Sequence, residues 1–391
     1  MKHLLVGLGS LLLLGLSVWV VTPAPTRRLL PLSVCAPEIT PWLVLGNLGL
    51  VLLSLLTLRD TSLGRLALVA GGLALGLSVL PLSQLPAVNR AAHQSLGQVA
   101  GADYEAKLAP DRPAQMRPRP MVLADSFRGI AIAPVRETTG IVFATPAGVP
   151  LTLTLYQPAQ PGLYPGLVMI YGGAWQQGKP GDNATFARYM ANQGYVVWAI
   201  SYRHAPAYRF PSQVEDVQAA IAFLKTHASD YETDVDRVAL LGRSAGAHLA
   251  MMAAYQPGPL AVRAVVNYYG PINLLNGYYD LPQPNPLNVR QVLETFLGGP
   301  PDQMEERYKA ASPSSLVTAN LPPSLLIYGG KDHIVEAKFG QAMADRLKQA
   351  GSPVVFIQIP WADHSFDAVF NGLSNQLALY YTERFLAWAL R

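Results

Sequence analysis

One serine lies between two glycines in the segment LLGRSAGAHLA, residues 240–250. Its centre, Gly242-Arg-Ser-Ala-Gly246, fits the pattern G-x-S-x-G and joins an apolar, strand-like run to a helix-forming one. A sharp turn from strand to helix would lift the Ser244 hydroxyl above the sheet edge. Glycines would be required two positions before and after it, because side chains there would clash with the neighbouring strand and helix. The context therefore predicts that Ser244 is a nucleophile rather than an ordinary loop serine.

The base that activates this serine should lie downstream of it in the chain. A serine hydroxyl is a weak nucleophile until a base removes its proton, and histidine is the usual base. Where this serine pattern joins a strand to a helix, the chain order is serine, then acid, then histidine. Among the seven histidines, His248 lies one helical turn from the serine and is predicted to pack locally. His333 and His364 remain as candidates.

Asp332 is the predicted acid. It follows the apolar segment 325–328, and His364 follows the apolar segment 354–359, so both residues should lie in loops after strands. Two such loops at the same sheet edge can bring a carboxylate to one imidazole nitrogen while the other nitrogen faces the serine. The sequence therefore predicts Ser244 as nucleophile, His364 as base and Asp332 as the acid that orients it.

Two neighbouring residues compete for these roles. His333 is adjacent to Asp332, and Asp363 is adjacent to His364. A carboxylate cannot easily orient the imidazole of its own neighbour while that imidazole also reaches a distant serine. The pair formed by Asp332 and His364 is therefore preferred to either adjacent pair.

A reaction at this serine also needs backbone amides that stabilise a developing oxyanion. The first amide of the following helix can supply one, and the apolar segment 167–171 leads into Gly172-Gly-Ala-Trp175, where small residues leave amides accessible. The predicted oxyanion donors are Gly173, Ala174 and Ala245. The predicted substrate-pocket residues are Trp175, Tyr268 and Tyr269.

The chain from residue 135 to residue 391 alternates apolar, strand-like segments with helical ones. Continuous apolar strands separated by helices predict an α/β fold, a mostly parallel sheet with helices on both faces. The stretch from Pro271 to Pro323 interrupts this alternation and holds one helical segment, Val289 to Leu297. An insertion of this length between two sheet strands predicts a cap over a site.

The first 85 residues predict a membrane region. Half of the 391 residues are hydrophobic, and the excess is concentrated here, in runs from Leu4 to Val21, Pro41 to Leu58 and Leu66 to Leu85. Each run is close to the length that spans a bilayer as a helix, so we expect a three-helix, multi-pass membrane region. The first run could instead be a cleaved signal peptide, although no small-x-small cleavage site follows it. Lysine and arginine residues lie in almost equal numbers on the two predicted sides of the membrane. Their distribution therefore does not indicate the side on which the rest of the chain lies.

Residues 86–134 are predicted to be a proline-rich linker, with a short surface helix within 91–108. The net charge is only +4, and lysine and arginine are scattered, which gives nucleic-acid binding no support. Cys35 is the single cysteine, which excludes an internal disulfide or a thiolate metal site. We expect no metal and no cofactor. The sequence does not define an oligomeric state.

Further segments resemble the carboxylesterases related to hormone-sensitive lipase, which have the α/β-hydrolase fold. The matching segments are Tyr171-Gly-Gly-Ala-Trp175 (usually HGGGW), Ser201-Tyr-Arg-His-Ala-Pro206 (YRLAP), Phe210 to Val217 (FP-x-x-x-EDV) and Asp234 to Arg237 before the serine motif. The resemblance covers about residues 135–391 and implies Ser244, Asp332 and His364 as the catalytic triad. Tyr171 stands where the usual histidine would be, and Ala174 replaces the third glycine. Similar GGAW and SAGAH segments occur in isoprenylcysteine methylesterases. A related variant of the glycine loop occurs in kynurenine formamidase-like enzymes.

These observations together predict a membrane-anchored serine hydrolase that cleaves small-molecule carboxylic esters through an acyl-enzyme. The apolar N-terminal region favours lipophilic esters and makes the bilayer the expected partner. Two alternatives are an amidase or formamidase that uses the same triad, and a catalytically silent hydrolase-like module that binds a ligand. A transporter has little support, because no charged residue interrupts the three apolar runs.

Overall fold

The computed structural model describes residues 2–57, 61–108 and 116–391. The predicted end of the second apolar run at Leu58 and the proline-rich residues 109–115 lie outside the described residues. The described chain forms a group of N-terminal helices and a larger α/β part that contains one sheet.

Eight strands of the described residues form the sheet, in the order β1-β2-β4-β3-β5-β6-β7-β8. Their bounds are β1 (Arg136–Ala144), β2 (Leu151–Gln157), β3 (Tyr164–Ile170), β4 (Val196–Ile200), β5 (Thr233–Arg243), β6 (Ala264–Tyr268), β7 (Ser324–Gly329) and β8 (Val354–Ile359). Strand β2 is antiparallel to β1 and to β4, whereas the strands from β4 to β8 are parallel to their neighbours. The predicted mostly parallel sheet is confirmed. The central strands β3, β4 and β6 are buried along nearly their whole length, as expected for strands whose two faces are both covered by helices.

The helices of the N-terminal region are α1 (Lys2–Val18), α2 (Leu30–Glu38), α3 (Thr40–Thr57) and α4 (Ser62–Ala100). Those of the α/β part are α5 (Leu123–Arg128), α6 (Ala184–Asn192), α7 (Ser212–His227), α8 (Ala245–Ala254), α9 (Leu274–Tyr279), α10 (Val289–Leu297), α11 (Pro301–Ala310), α12 (Ala337–Gln349) and α13 (Leu373–Ala389). Helices α9, α10 and α11 occupy the predicted cap, and α10 has the predicted bounds.

Helices α1, α3 and α4 pack against one another around a buried polar contact. Asn47 Nδ2 donates hydrogen bonds to Ser17 Oγ and Ser78 Oγ, each over 3.1 Å. The outer surfaces of the same helices carry exposed leucine and valine side chains, such as Leu12 at 67% and Leu56 at 83% exposure. A largely apolar outer face around a polar interhelical contact is typical of helices that face lipid.

Helix α4 is the one described helix that is long and apolar enough to cross a membrane. Helices α2 and α3 reach the length and hydropathy of a membrane span only as a pair, and the chain bends by 79° where they meet. Helix α1 is apolar but shorter. The predicted three-helix, multi-pass region is therefore not confirmed. The sequence pattern did not reveal the bend, because a hydropathy run reports composition and not the direction of the chain.

Helix α4 continues to Ala100, beyond the predicted boundary at residue 85. Its second half lies on the α/β part, where Ala92 and Leu96 are buried in the main core and Ser95 Oγ accepts a hydrogen bond from the amide of Phe356 in β8. Buried residues four positions apart form one helical stripe, which turns toward the sheet. Residues 86–100, assigned to the linker from the sequence, are thus a packed helix.

Candidate active site

Ser244 lies at a strained turn between β5 and α8. Its backbone has φ 50° and ψ −122°, a conformation that residues with a side chain rarely adopt. A Cβ atom on Gly242 would lie 2.2 Å from the carbonyl oxygen of Gly246, and one on Gly246 would lie 2.2 Å from that of Ile170. Both glycines are therefore required by close backbone approach, as the sequence pattern predicts.

The structure brings Ser244, His364 and Asp332 together. His364 Nε2 lies 2.9 Å from Ser244 Oγ, and His364 Nδ1 lies 2.8 Å from Asp332 Oδ2. Asp332 is 2% exposed and His364 is 5% exposed, so the contacts are shielded from water. The acid follows β7 and the histidine follows β8, which are neighbours in the sheet. The arrangement can transfer a proton from the serine hydroxyl to the imidazole.

Asp332 is held as a hydrogen-bond acceptor on both of its oxygens. Its Oδ1 accepts hydrogen bonds from the amides of Ile334 and Val335, at 2.7 and 2.9 Å, which leaves Oδ2 for the imidazole. Burial is the largest single effect and disfavours the charged form of His364, but the charges of Asp332, Asp363 and Asp367 and the hydrogen bond to Asp332 together outweigh it. The net result is that the pKa of His364 is raised above its usual value of 6.5.

The predicted oxyanion donors line the same cavity as the serine. Ala245 begins α8, so its amide belongs to the first helical turn, where no partner exists within the helix. Gly173 has φ +127°, and a Cβ there would lie 2.1 Å from the carbonyl oxygen of Gln177. Within residues 2–57, 61–108 and 116–391, no group accepts a hydrogen bond from the amides of Gly173 or Ala174. These amides are available to an anionic oxygen.

Tyr171, which replaces the usual histidine, is held by the segment that follows β4. Its hydroxyl lies 3.0 Å from His204 Nε2, and its ring stacks on that of Tyr202 at a centroid distance of 4.5 Å. Tyr202 in turn donates from its own hydroxyl to the carbonyl oxygen of Tyr171, over 3.2 Å. The pairing of Tyr171 with His204 keeps a hydrogen bond at the base of the glycine loop despite the substitution.

A cavity of about 1150 Å³ opens above Ser244. The loops after β3, β5, β6, β7 and β8 and the cap helices α9 and α10 line it. Two predicted pocket residues, Trp175 and Tyr269, are among its lining residues. Trp175 is held by stacking on Phe296 of the cap, with ring centroids 4.1 Å apart, and its Nε1 donates to His248 Nδ1 over 3.2 Å.

The prediction that Tyr268 lines the pocket is wrong. Tyr268 is fully buried, and its hydroxyl forms a 2.8 Å hydrogen bond with Thr382 Oγ1 in α13. It is the last residue of β6, and its side chain packs toward α13. Tyr269, the next residue, lies beyond the strand with a φ of 45° and lines the cavity instead.

Sequence reasoning missed a buried ion pair beside the serine. Arg243 donates from Nε to Asp367 Oδ2, and the hydroxyl of Tyr269 donates to the other oxygen of the same carboxylate. The ring of Tyr269 packs on the imidazole of His364 at 4.7 Å. The available signal was an arginine at the end of an apolar strand, because a buried guanidinium requires an acidic partner.

The cavity wall also includes Arg27 and Leu30, which no sequence pattern associates with the serine. Both belong to the N-terminal region, where Leu30 begins α2. The N-terminal helices therefore lie beside the candidate active site.

The chain is similar to known ester hydrolases. Residues 153–347 match the family model described as BD-FAE. A Mycobacterium tuberculosis (strain ATCC 25618 / H37Rv) protein named "Probable carboxylic ester hydrolase LipM" is 32% identical over 240 residues, 58% of this chain and 54% of that protein. "Esterase LipQ" from the same organism is 33% identical over 244 residues, covering 56% and 55% of the two chains. "Probable isoprenylcysteine alpha-carbonyl methylesterase ICMEL1" of Oryza sativa subsp. japonica is 30% identical over 229 residues, 51% of each chain.

Among solved structures, "Bacterial Heroin Esterase" superimposes with a TM-score of 0.57 at 24% identity, covering 66% of this chain and 84% of that one. Residues 153–347 thus resemble the BD-FAE family within an α/β-hydrolase fold, and the resemblance to carboxylic ester hydrolases and isoprenylcysteine methylesterases is confirmed. The matched region spans about half the length of these sequence relatives.

The glycine geometry generates a stability prediction. Gly246→Ala should lower the free energy of unfolding by about 1–3 kcal/mol, the usual cost of overpacking. The reason is that the new methyl group would collide with the carbonyl oxygens of Ile170 and Tyr171. Thermal unfolding of the purified protein in detergent measures this effect. Gly181→Ala is the matched control, since a Cβ there has nothing within 4 Å. Equal unfolding temperatures for the two variants would contradict the prediction.

Proposed function

We propose that this chain is a membrane-anchored serine hydrolase that cleaves carboxylic esters through an acyl-enzyme on Ser244. The observation that carries the proposal is the unbroken line of hydrogen bonds from Ser244 through His364 to Asp332, at 2.9 and 2.8 Å, beside a cavity. The names of the sequence relatives, carboxylic ester hydrolase and esterase, support an ester rather than an amide as the substrate.

In the acylation step, Ser244 Oγ attacks the ester carbonyl carbon and its proton passes to His364 Nε2. Asp332 accepts the hydrogen bond from Nδ1–H and stabilises the imidazolium. The amides of Gly173, Ala174 and Ala245 stabilise the negative oxygen of the tetrahedral intermediate. The intermediate collapses when the bond to the alkoxide oxygen breaks. The proton on Nε2 then goes to that oxygen, which releases an alcohol.

Deacylation repeats these steps with water. Water gives its proton to His364 Nε2 as its oxygen attacks the acyl carbon of the acyl-enzyme. Breakdown of the second tetrahedral intermediate cleaves the bond to Ser244 Oγ, which takes the proton back from the imidazole. The carboxylic acid leaves, and the enzyme returns to its starting state without a cofactor or metal.

The N-terminal region supports both the membrane anchor and a lipophilic substrate. Helix α4 meets the length and hydropathy of a membrane span, and its first half exposes apolar side chains. Leu30 and Arg27 connect that region to the cavity wall. An ester with an apolar chain in the bilayer would therefore meet the cavity at its membrane-facing side, with Trp175 and Tyr269 against its acyl group.

The assignment of the nucleophile has a direct test. Ser244→Ala should lower kcat for p-nitrophenyl acyl esters by a factor on the order of 10⁶ and abolish labelling by a fluorophosphonate probe. Ser315→Ala, at an exposed serine outside the cavity, should keep wild-type rates and labelling. Full activity in the Ser244 variant would reject the proposal, as would a substrate panel in which amides are cleaved and esters are not.

The charge on Asp332 predicts the pH dependence. The base must be neutral, so activity is lost as the pH falls through the pKa of His364. Because that pKa is raised, the acidic limb of kcat/KM should have its midpoint above 6.5. Asp332→Asn should lower kcat by about 10⁴-fold, since the imidazole loses its orienting acceptor. Asp230→Asn, at an exposed aspartate, is the control, and a midpoint below 6.5 in the wild type would contradict the prediction.

Membrane anchoring through α4 is tested by extraction. The full chain should stay in the membrane fraction after a wash with alkaline carbonate. Val69→Lys combined with Leu73→Lys should release it, because each lysine costs about 2.5–3.5 kcal/mol at the centre of a spanning helix. Both positions are exposed on the apolar face of α4. Gln341→Lys, on the exposed side of α12, should be retained like the wild type, and equal retention of all three proteins would contradict this anchor.

A further inference from the structure

The N-terminal region contacts both loops that carry Asp332 and His364. We propose that this region is a structural part of the active site, in which Ser33 of α2 acts as a positioning residue for His364. The inference rests on the proposed function, because it assigns a role in the same reaction. It goes further in making the apolar region a requirement for the geometry of the site and not only an anchor.

The first connection runs from Ser33 to the histidine through Asp363. Ser33 Oγ donates a hydrogen bond to Asp363 Oδ2, and Asp363 Oδ1 accepts one from the backbone amide of His364, over 2.7 Å. Both Ser33 and Asp363 are buried. A buried carboxylate that loses a donor has to recover it by moving, because an unsatisfied buried charge is costly. The first movement available to Asp363 would displace the backbone of His364.

The second connection holds the loop of the acid. Lys331, the residue before Asp332, donates from Nζ to the carbonyl oxygens of Trp19 and Ser33, at 2.7 and 2.8 Å. Burial lowers the pKa of Lys331 to about 8, although the charge of Asp363 opposes this. An ammonium group buried to this extent depends on its carbonyl acceptors. Both of them come from the N-terminal region.

The two loops are also joined to each other and to the last helix. The amide of Lys331 donates to the carbonyl oxygen of Ala362 over 3.0 Å. Glu38, at the end of α2, accepts a 2.8 Å hydrogen bond from the amide of Ser374 in α13. The hydroxyl of Ser374 in turn accepts one from Trp361 Nε1, at 2.9 Å, in the loop of the histidine. Helix α2 therefore contacts the histidine loop directly at Asp363 and indirectly through Ser374 of α13.

Loss of these contacts should affect the rate more than substrate binding. The cavity is lined mainly by the cap and by the loops after β3, β5 and β6, whereas Ser33 hydrogen-bonds to Thr22, Asp363 and Lys331. A displaced imidazole weakens proton transfer, which is felt in the transition state and not in the ground state. A change in kcat with little change in KM is thus the signature of a positioning residue here.

The kinetic test uses the full chain in detergent with a p-nitrophenyl ester. Ser33→Ala should lower kcat by about 10- to 100-fold, the range expected when a reacting group is displaced by up to about 1 Å. Its KM should stay near that of the wild type. Ser54→Ala is the matched control, because the Ser54 hydroxyl is also buried in the N-terminal region but has no hydrogen-bond partner in the described chain. Equal kcat for the two variants would overturn the inference.

The pH profile tests whether Asp363, the residue that Ser33 holds, lies close enough to His364 for its charge to act on the imidazole. The carboxylates that face His364 are Asp332, Asp363 and Asp367, and each of them raises its pKa. Asp363→Asn removes one of these charges, so the acidic limb of kcat/KM should move to lower pH. Ser54→Ala should leave the limb in place. A variant that is merely less stable would lose activity without moving the midpoint, and an unmoved midpoint in Asp363→Asn would count against the proposal.

Hydrogen–deuterium exchange tests the same contacts without relying on activity. Peptides that cover residues 328–336 and 360–368 should exchange faster in Ser33→Ala than in Ser54→Ala. Equal exchange in the two variants would overturn the inference even if the wild type is an active esterase. If the wild type cleaves no ester and takes no fluorophosphonate label, the proposed function fails. Faster exchange in Ser33→Ala would in that case still support the coupling of the N-terminal region to these loops.

Discussion

The hydrogen bond between Ser244 Oγ and His364 Nε2 joins residues 120 positions apart in the chain. It requires the strained turn after β5 and the loop after β8 to meet within 3 Å, although two other strands, β6 and β7, lie between them in the sheet. A parallel sheet satisfies this requirement because the carboxyl ends of its strands share one edge. The glycines of the turn let the serine rise above that edge, and the remaining loops are arranged around it.

Buried charge is the second constraint on this site. His364 lies among three carboxylates, and one of these, Asp367, is paired with the buried Arg243 and accepts a hydrogen bond from Tyr269. Asp332 has its own amide donors, and Asp363 has Ser33 and a backbone amide. Asp363 and Asp367 are thus kept from competing with Asp332 for the imidazole proton, because their oxygens already accept hydrogen bonds from other donors. Electrostatic interactions and hydrogen bonds are strong in this buried site because its dielectric constant is low. Asp332 therefore binds the imidazole, while Asp363 and Asp367 stay bound to their other partners.

The position of the N-terminal helices makes the apolar part of the chain relevant to the chemistry. Their outer surface is apolar and exposed, while their ends nearest the α/β part are buried against the loops of the acid and the histidine. Leu30 and Arg27 extend the same contact to the cavity wall. A hydrolase built in this way would have its cavity beside the surface at which amphipathic esters concentrate.

Sequence alone was sufficient where a feature depends on neighbouring residues. The glycine spacing around Ser244, the bounds of α10, the mostly parallel sheet and the chain order of serine, acid and histidine follow from local patterns, because backbone geometry limits what a short segment can do. The structure brings the three side chains together as that order predicts.

Other features were decided only by the tertiary structure. The sequence assigned Tyr268 to the pocket, treated residues 86–100 as linker and gave no sign that Ser33 would contact Asp363. The partner of Tyr171 was equally hidden, since His204 is 33 residues away in the chain. The physical reason is that burial and hydrogen bonding over long separations depend on how whole elements pack, and no local pattern fixes that packing.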